Sequence, residues 1–167
     1  TAANNTFVGY QAGYTNSTGT QNAFFGHNAG FNNTTADRNT FIGDIAGANT
    51  NTGGGNTAIG WEAMNQNTSG AGNAVLGTQA LRSNTTGLTN TAMGNAALYT
   101  NTIGNQNTAV GGNALTTNLD GANNPPIAVK SKVPVTSLNT TSDTSIITTE
   151  LYKYKGPTIV APFKLSS

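Results

Sequence analysis

The chain of 167 residues is long enough for one domain, or for one domain with a small appendage. Only 8% of its residues are charged and its formal net charge is +1, so it offers no basic surface for nucleic acid or for an anionic membrane. It contains no cysteine, which excludes disulfides and thiolate chemistry, and no apolar run reaches the roughly 18 residues of a membrane-spanning helix.

Residues 1–124 are dominated by a repeat of 17 residues that occurs seven times without an insertion. Each copy opens with an asparagine, at Asn5, Asn22, Asn39, Asn56, Asn73, Asn90 and Asn107. Four residues later comes a glycine, at Gly9, Gly26, Gly43, Gly60, Gly77, Gly94 and Gly111. Three residues after that comes an alanine, at Ala12, Ala29, Ala46, Ala63, Ala80, Ala97 and Ala114.

A unit of this length is too short for a helical-hairpin repeat and lacks the leucine pattern of a horseshoe repeat. It contains two short apolar segments, which we expect to be two strands, each followed by small polar residues. In turns such as Asn84 to Gly87, we expect the glycine to supply the positive φ. The predicted fold is therefore all-β, a parallel β-solenoid (β-roll) of seven 17-residue coils stacked about 4.8 Å apart.

Two columns of the repeat exchange side-chain size. The first holds Phe7, Phe24, Phe41, Ala58, Val75, Ala92 and Ala109, and the second holds Gly13, Gly30, Gly47, Met64, Leu81, Leu98 and Leu115. Every Phe is matched by Gly, and every Ala or Val by Leu or Met. Close-packed interiors require this exchange, because a void or an overlap costs about 1–3 kcal/mol. We therefore expect both columns to fill the interior of the same coil.

A third column, next to the first, is apolar in every copy and should face outward, since adjacent strand residues point to opposite sides. It comprises Val8, Phe25, Ile42, Ile59, Leu76, Met93 and Val110. An exposed apolar stripe along seven coils would be an unusually large patch, so we expect identical chains to cover it around a common axis. A homotrimer is the predicted assembly.

The motif Asn-Thr-Ala-Ile-Gly-x-x-Ala at residues 56–63, and nearly so at 107–114, resembles the head repeat of trimeric autotransporter adhesins. Similar repeats occur in phage tail fibres and bacterial surface proteins, and the resemblance covers residues 5–123. It implies a left-handed parallel β-roll, a homotrimer, an extracellular location on a cell surface or virion, and a role in adhesion or spacing. The sequence departs from that family in its longer repeat and in lacking a heptad stalk and an outer-membrane barrel anchor.

Residues 125–167 carry no trace of the repeat, and the change begins at Asn124-Pro125-Pro126. The formal charge changes there as well, from −2 over residues 1–124 to +3 over residues 125–167. Apolar residues alternate in this segment, as at Tyr152 and Tyr154, which favours three or four strands. We expect a 1–124 solenoid domain and a 125–167 β segment that caps the open end of the solenoid or intertwines with partner chains.

Residues able to support catalysis are few. His27 is the one histidine, and it lies in a variable column that is typical of a surface turn. Asp44 and Glu62 fall in adjacent columns of adjacent coils, where they resemble a glycosidase carboxylate pair. The acidic residues are otherwise scattered, so we expect no metal site, no cofactor and no enzymatic activity. Candidate ligand-binding residues are Tyr10, His27, Trp61 and Glu62.

Three functions compete at this point. The leading prediction is a structural or adhesive fibre module of a surface adhesin, appendage or phage fibre, with a surface glycan or protein as receptor. Aligned hydroxyls make ice binding an alternative; they lie at Ser17, Thr34, Thr68, Thr85 and Thr102, and at Thr18, Thr35, Thr52, Ser69 and Thr86. A carbohydrate-binding or carbohydrate-cleaving tailspike is the third, and it depends on the pair Asp44 and Glu62.

Overall fold

The computed structural model describes residues 1–122, which form a parallel β-solenoid with one three-residue strand in each coil. The strands are β1 Thr6–Val8, β2 Ala23–Phe25, β3 Thr40–Ile42, β4 Thr57–Ile59, β5 Ala74–Leu76, β6 Thr91–Met93 and β7 Thr108–Val110. They pair in chain order within a single sheet, each residue opposite its equivalent 17 positions later. The predicted fold class is confirmed, whereas the boundary at residue 124 and the β segment at 125–167 lie outside the described residues.

Each strand is short because the glycine column ends it in a conformation that other residues rarely adopt. Gly60, for example, has φ 136°. A Cβ atom placed on it would lie 2.5 Å from the carbonyl oxygen of Gly77 in the next coil. Glycine is thus required both for its backbone angle and for the close approach of successive coils.

The second apolar segment of each coil is a run of turns, so the prediction of a second strand is wrong. In the fourth coil, the amide of Ala63 donates to the carbonyl of Gly60, whereas the amide of Met64 donates to Ala80 in the next coil. The physical reason is the left-handed backbone at Glu62 (φ 52°) and Met64 (φ 53°), which an extended strand does not contain. Amides therefore alternate between closing a local turn and joining the next coil.

The exchange of side-chain size between the two core columns is confirmed. The strands supply the column that contains Phe41, and the run of turns that follows each strand supplies the column that contains Gly47. Phe41, Met64 and Leu81 are completely buried in one apolar core that runs through the coils. A Cβ atom on Gly47 would lie 2.5–2.6 Å from ring atoms of Phe41, so that coil has room for the ring only because residue 47 is glycine. The core phenylalanines also stack, with the Phe24 and Phe41 centroids 5.0 Å apart.

Two buried ladders of asparagine side chains flank the apolar core, and sequence reasoning missed their role. In the first, the Oδ1 of Asn56 accepts the backbone amide of Asn73 at 2.9 Å, while its Nδ2 donates to the carbonyl of Gly70 at 2.9 Å. The same pair of bonds recurs at the opening asparagine of successive coils. These side chains tie the start of each coil both to its end and to its neighbour.

The second ladder contains Asn16, Asn33, Asn67, Asn84, Asn101 and Asn118. Here each Nδ2 donates to the carbonyl three residues later, and successive side-chain amides are hydrogen-bonded from coil to coil. Thr50 takes the place of asparagine in the third coil, and the buried Oδ1 of Asn33 has no hydrogen-bond partner. One rung of this ladder is therefore incomplete.

The turn that closes each coil also differs from the prediction. The expected positive φ at Gly87 is wrong: the left-handed residue is Thr89 (φ 53°), two positions later. Gly87 is glycine for lack of space, because a Cβ atom there would lie 2.5 Å from the carbonyl oxygen of Gly104. The asparagine ladders bring the coils this close together.

Candidate functional site

The outward face of the sheet carries the most distinctive surface of the described residues. Its apolar stripe consists of Val8, Phe25, Ile42, Ile59, Leu76, Met93 and Val110. Six of these side chains are 38–54% exposed, and Ile59 is partly exposed. The neighbouring outward column, which holds the first residue of each strand, contains only threonine and alanine, so no charge interrupts the face. The expected outward orientation of the stripe is confirmed.

Two residues after the stripe, four side chains from successive coils form a line that we call the turn ridge: Tyr10, His27, Asp44 and Trp61. The rings of Tyr10 and His27 are parallel within 12°, with centroids 5.6 Å apart. The His27 Nδ1 lies 2.7 Å from the Asp44 Oδ1, and both side chains are about half exposed. Tyr10 is 68% exposed and Trp61 is 47% exposed. Three of the four predicted ligand-binding residues therefore lie side by side in this ridge.

Glu62, the fourth, belongs to a different structure. Its carboxylate accepts hydrogen bonds from Gln79 and from the Arg82 Nε, both at 2.8 Å, and its side chain is only 14% exposed. The Arg82 guanidinium in turn lies over the ring of Tyr99, 5.7 Å from its centroid. Glu62 thus anchors a brace across three coils, which is how we interpret its role.

The environment of Glu62 bears on the proposed carboxylate pair. Hydrogen bonds from Gln79 and Arg82, together with the charge of Arg82, hold the pKa of Glu62 below its ordinary value, despite partial burial and the nearby charge of Asp44. A glycosidase general acid needs the opposite shift, so that it stays protonated near neutral pH. Asp44 is meanwhile engaged with His27. Both carboxylates are therefore engaged in contacts within the solenoid, and Glu62 lacks the raised pKa of a general acid.

The first column of aligned hydroxyls, from Ser17 to Thr102, forms a hydrogen-bonded ladder. Ser17, Thr68, Thr85 and Thr102 each donate to a backbone carbonyl of the next coil at 2.8–3.0 Å. Their protons are therefore committed to the solenoid itself, and exposed Ile103 and Leu119 interrupt the two columns. This arrangement favours a structural role for the hydroxyls.

Two further observations describe what residues 1–122 contain. No group of three or more His, Cys, Asp or Glu side chains is close enough there to hold a metal ion. Within the same residues, no helix has the length and apolar character needed to cross a membrane.

Comparisons of the chain with family models, with curated proteins and with solved structures found no match.

Proposed function

We propose that this chain is a structural or adhesive fibre module that acts outside the cell, on a cell surface or a virion, as a homotrimer without enzymatic activity. The observation that carries the proposal is the uncharged apolar stripe, which recurs at the same position in all seven strands. The resemblance of residues 5–123 to adhesin head repeats supports the same assembly and location.

The size of the stripe supports association rather than exposure to water. Fully burying an aliphatic or aromatic side chain stabilises by about 1.5–3 kcal/mol, so covering a half-exposed one contributes roughly 1 kcal/mol. Seven such residues recur in each chain. Their summed contribution is comparable to the roughly 4–15 kcal/mol that association costs in lost freedom of motion. A stripe repeated in seven coils can thus offset the cost of association, whereas one or two such residues could not.

The ladders inside the solenoid support a mechanical role. Core side chains pack from coil to coil, and asparagine side chains and backbone groups hydrogen-bond to the neighbouring coil, so similar contacts are repeated along the sheet. A fibre module needs such continuity, and it needs outward side chains that are free to vary. The variable turn ridge beside a regularly repeating interior fits both requirements.

The direct test is the mass of the full chain in solution, measured by light scattering over a range of concentrations. We expect three times the 17.0 kDa of one chain. Replacing stripe residues with threonine, in the double variant Ile42→Thr/Leu76→Thr, should weaken the assembly. Leu88→Thr is the matched control, because Leu88 is as exposed as Leu76 but lies outside the stripe.

A wild-type chain that stays monomeric at all concentrations would refute the assembly, and a stable dimer or tetramer would refute the trimer. The two alternative functions have their own measurements. Ice binding requires thermal hysteresis of the purified protein, and the hydroxyl protons that the first column commits to backbone carbonyls argue against it. Cleavage by Asp44 and Glu62 requires that Asp44→Asn or Glu62→Gln abolish a measured hydrolase or lyase activity.

A further inference from the structure

The turn ridge is a local departure from the regular solenoid. In the first four coils its column holds Tyr10, His27, Asp44 and Trp61, whereas the last three coils hold Thr78, Asn95 and Gly112. The column is therefore able to hold small residues, and the fold does not require large ones there. Yet four polar or aromatic side chains lie in succession, and each of them is about half exposed or more. A side chain that neither fills the core nor completes a ladder is available for a ligand.

The chemistry of the ridge combines apolar ring surface with hydrogen-bonding groups. Tyr10 and Trp61 expose aromatic carbons, and each carries one polar group, a hydroxyl or an indole N–H. Between them, the His27–Asp44 pair presents an imidazole and a carboxylate, both about half exposed. A sugar ring has the complementary surface, because its C–H groups pack on aromatic carbon while its hydroxyls both donate and accept.

The shape of the ridge favours a linear ligand. Its four side chains occupy four successive coils, so three intervals of about 4.8 Å separate Tyr10 from Trp61 by roughly 14 Å. The ridge is only one side chain wide. Its area is therefore far smaller than the roughly 800 Å² that a protein partner buries on each side of a stable interface. A short oligosaccharide chain fits a surface of this length and width.

The charge of the surroundings limits the ligand further. Residues 1–122 contain two arginines and four acidic residues. Arg82 is engaged with Glu62, so it is not available to an acidic sugar at the ridge. Asp44 itself would repel a second carboxylate. A neutral saccharide avoids that repulsion.

We propose that the turn ridge binds a linear neutral oligosaccharide. Tyr10 and Trp61 pack against C–H faces of two of its sugars, and the His27–Asp44 pair hydrogen-bonds the hydroxyls between them. This assignment gives the adhesive module its ligand class and therefore rests on the proposed function.

The sequence provides two reporters for the test. Trp61 is the single tryptophan of the chain and His27 is the single histidine, so tryptophan fluorescence and the imidazole NMR signals each report one ridge residue. We would titrate the full chain with maltotriose, cellotriose and triacetylchitotriose, and with sialyllactose as the acidic comparison. At least one neutral trisaccharide should shift both reporters with one dissociation constant, in the millimolar range of about 1 mM.

Substitutions that copy other coils keep the fold while removing the ridge. Trp61→Thr and Tyr10→Asn import residues that the same column holds at Thr78 and Asn95. Each should weaken saccharide binding by about tenfold or more. Binding to each variant is measured with the reporter residue that the variant retains. Tyr14→Asn is the matched control, because Tyr14 is an equally exposed tyrosine outside the ridge whose column holds Asn65. Its binding should equal that of the wild type.

Three results would overturn the assignment. In the first, no neutral trisaccharide shifts either reporter at about 10 mM. In the second, sialyllactose binds as tightly as the neutral sugars. In the third, Tyr14→Asn weakens binding as much as Tyr10→Asn does. Failure here is distinguishable from failure of the proposed function. A trimer that binds no saccharide refutes the site alone, whereas a monomer that binds saccharide refutes the assembly alone.

Discussion

Exchanging the core pair of the third coil for that of the fourth tests whether the two interior columns share one space. Phe41→Ala alone removes a completely buried ring and should cost about 3–5 kcal/mol in the free energy of unfolding. Gly47→Met alone forces a side chain against that ring, because even its Cβ would lie within 2.6 Å of it; such overpacking costs about 1–3 kcal/mol. If the two effects were independent, the double variant would lose roughly 4–8 kcal/mol.

The double variant Phe41→Ala/Gly47→Met should instead lose only about 1–2 kcal/mol. It recreates the pair that the fourth coil already has, Ala58 with Met64. The backbone accepts it, because Met64 (φ 53°) adopts nearly the angle of Gly47 (φ 58°). What remains lost is the stacking of Phe24 on Phe41, worth about 0.5–1.5 kcal/mol. The coupling between the two sites should therefore be at least about 2 kcal/mol.

Equilibrium unfolding in urea measures all four proteins of this cycle, with Trp61 fluorescence as the probe in the adjacent coil. Chain concentration must be the same throughout, because association links stability to concentration. A double variant as unstable as the sum of its single variants would show that the columns do not share a space, and the account of the core would be wrong.

Three further predictions concern the buried ladders and the brace. Thr50→Asn should stabilise the fold by about 1 kcal/mol in urea, because it supplies the missing donor to the Asn33 Oδ1. Asn56→Ala should destabilise it by about 1–3 kcal/mol, because it leaves the buried backbone amide of Asn73 without its acceptor and removes one of the two side-chain donors to the Gly70 carbonyl. The pKa of Glu62 lies below its ordinary 4.5 when folded, so the unfolded chain binds more protons in acid. The stabilisation by Glu62 is complete above the ordinary pKa and is lost as the pH falls through the lower pKa of the folded state. Glu62→Gln should therefore reduce the loss of urea resistance on acidification.

Matched variants control for the substitutions themselves. Thr52→Asn and Asn95→Ala make the same changes at exposed positions and should stay within about 0.5 kcal/mol of the wild type. Stabilisation by Thr52→Asn equal to that by Thr50→Asn would remove the ladder explanation, and so would an Asn56→Ala variant as stable as Asn95→Ala. An acid sensitivity unchanged by Glu62→Gln would show that the brace does not contribute to the pH dependence.

The repetition of the sequence made the core columns and the apolar stripe predictable. Each position is sampled seven times, so the exchange between Phe41 and Gly47 in one coil and Ala58 and Met64 in the next reveals a contact that one copy would hide. The same in-register stacking predicts that residues 17 apart touch. His27 and Asp44 follow that rule, although the sequence interpretation had paired Asp44 with Glu62 instead.

The turn run and the ladders were harder to predict, for two physical reasons. Nothing in the side chain of Glu62 or Met64 signals a left-handed backbone; the available signal was the glycine at Gly13, Gly30 and Gly47 in the column of Met64, where φ is also left-handed. Asparagine is typical of exposed turns, so its presence at Asn56 or Asn84 indicated a surface rather than a buried amide ladder. The available signal was that asparagine recurs at the same two positions of the repeat, whereas the column of the turn ridge changes from coil to coil.

Distances between spin labels would show whether the apolar stripe faces partner chains, as we propose. Since the chain has no cysteine, Ile42→Cys and Thr35→Cys each give one labelling site, on the stripe and on an exposed turn respectively. In the assembled protein, we expect labels at position 42 to lie closer to one another than labels at position 35 and to be shielded from water. Labels at position 42 that remain open to water, with no dipolar coupling between chains, would contradict it.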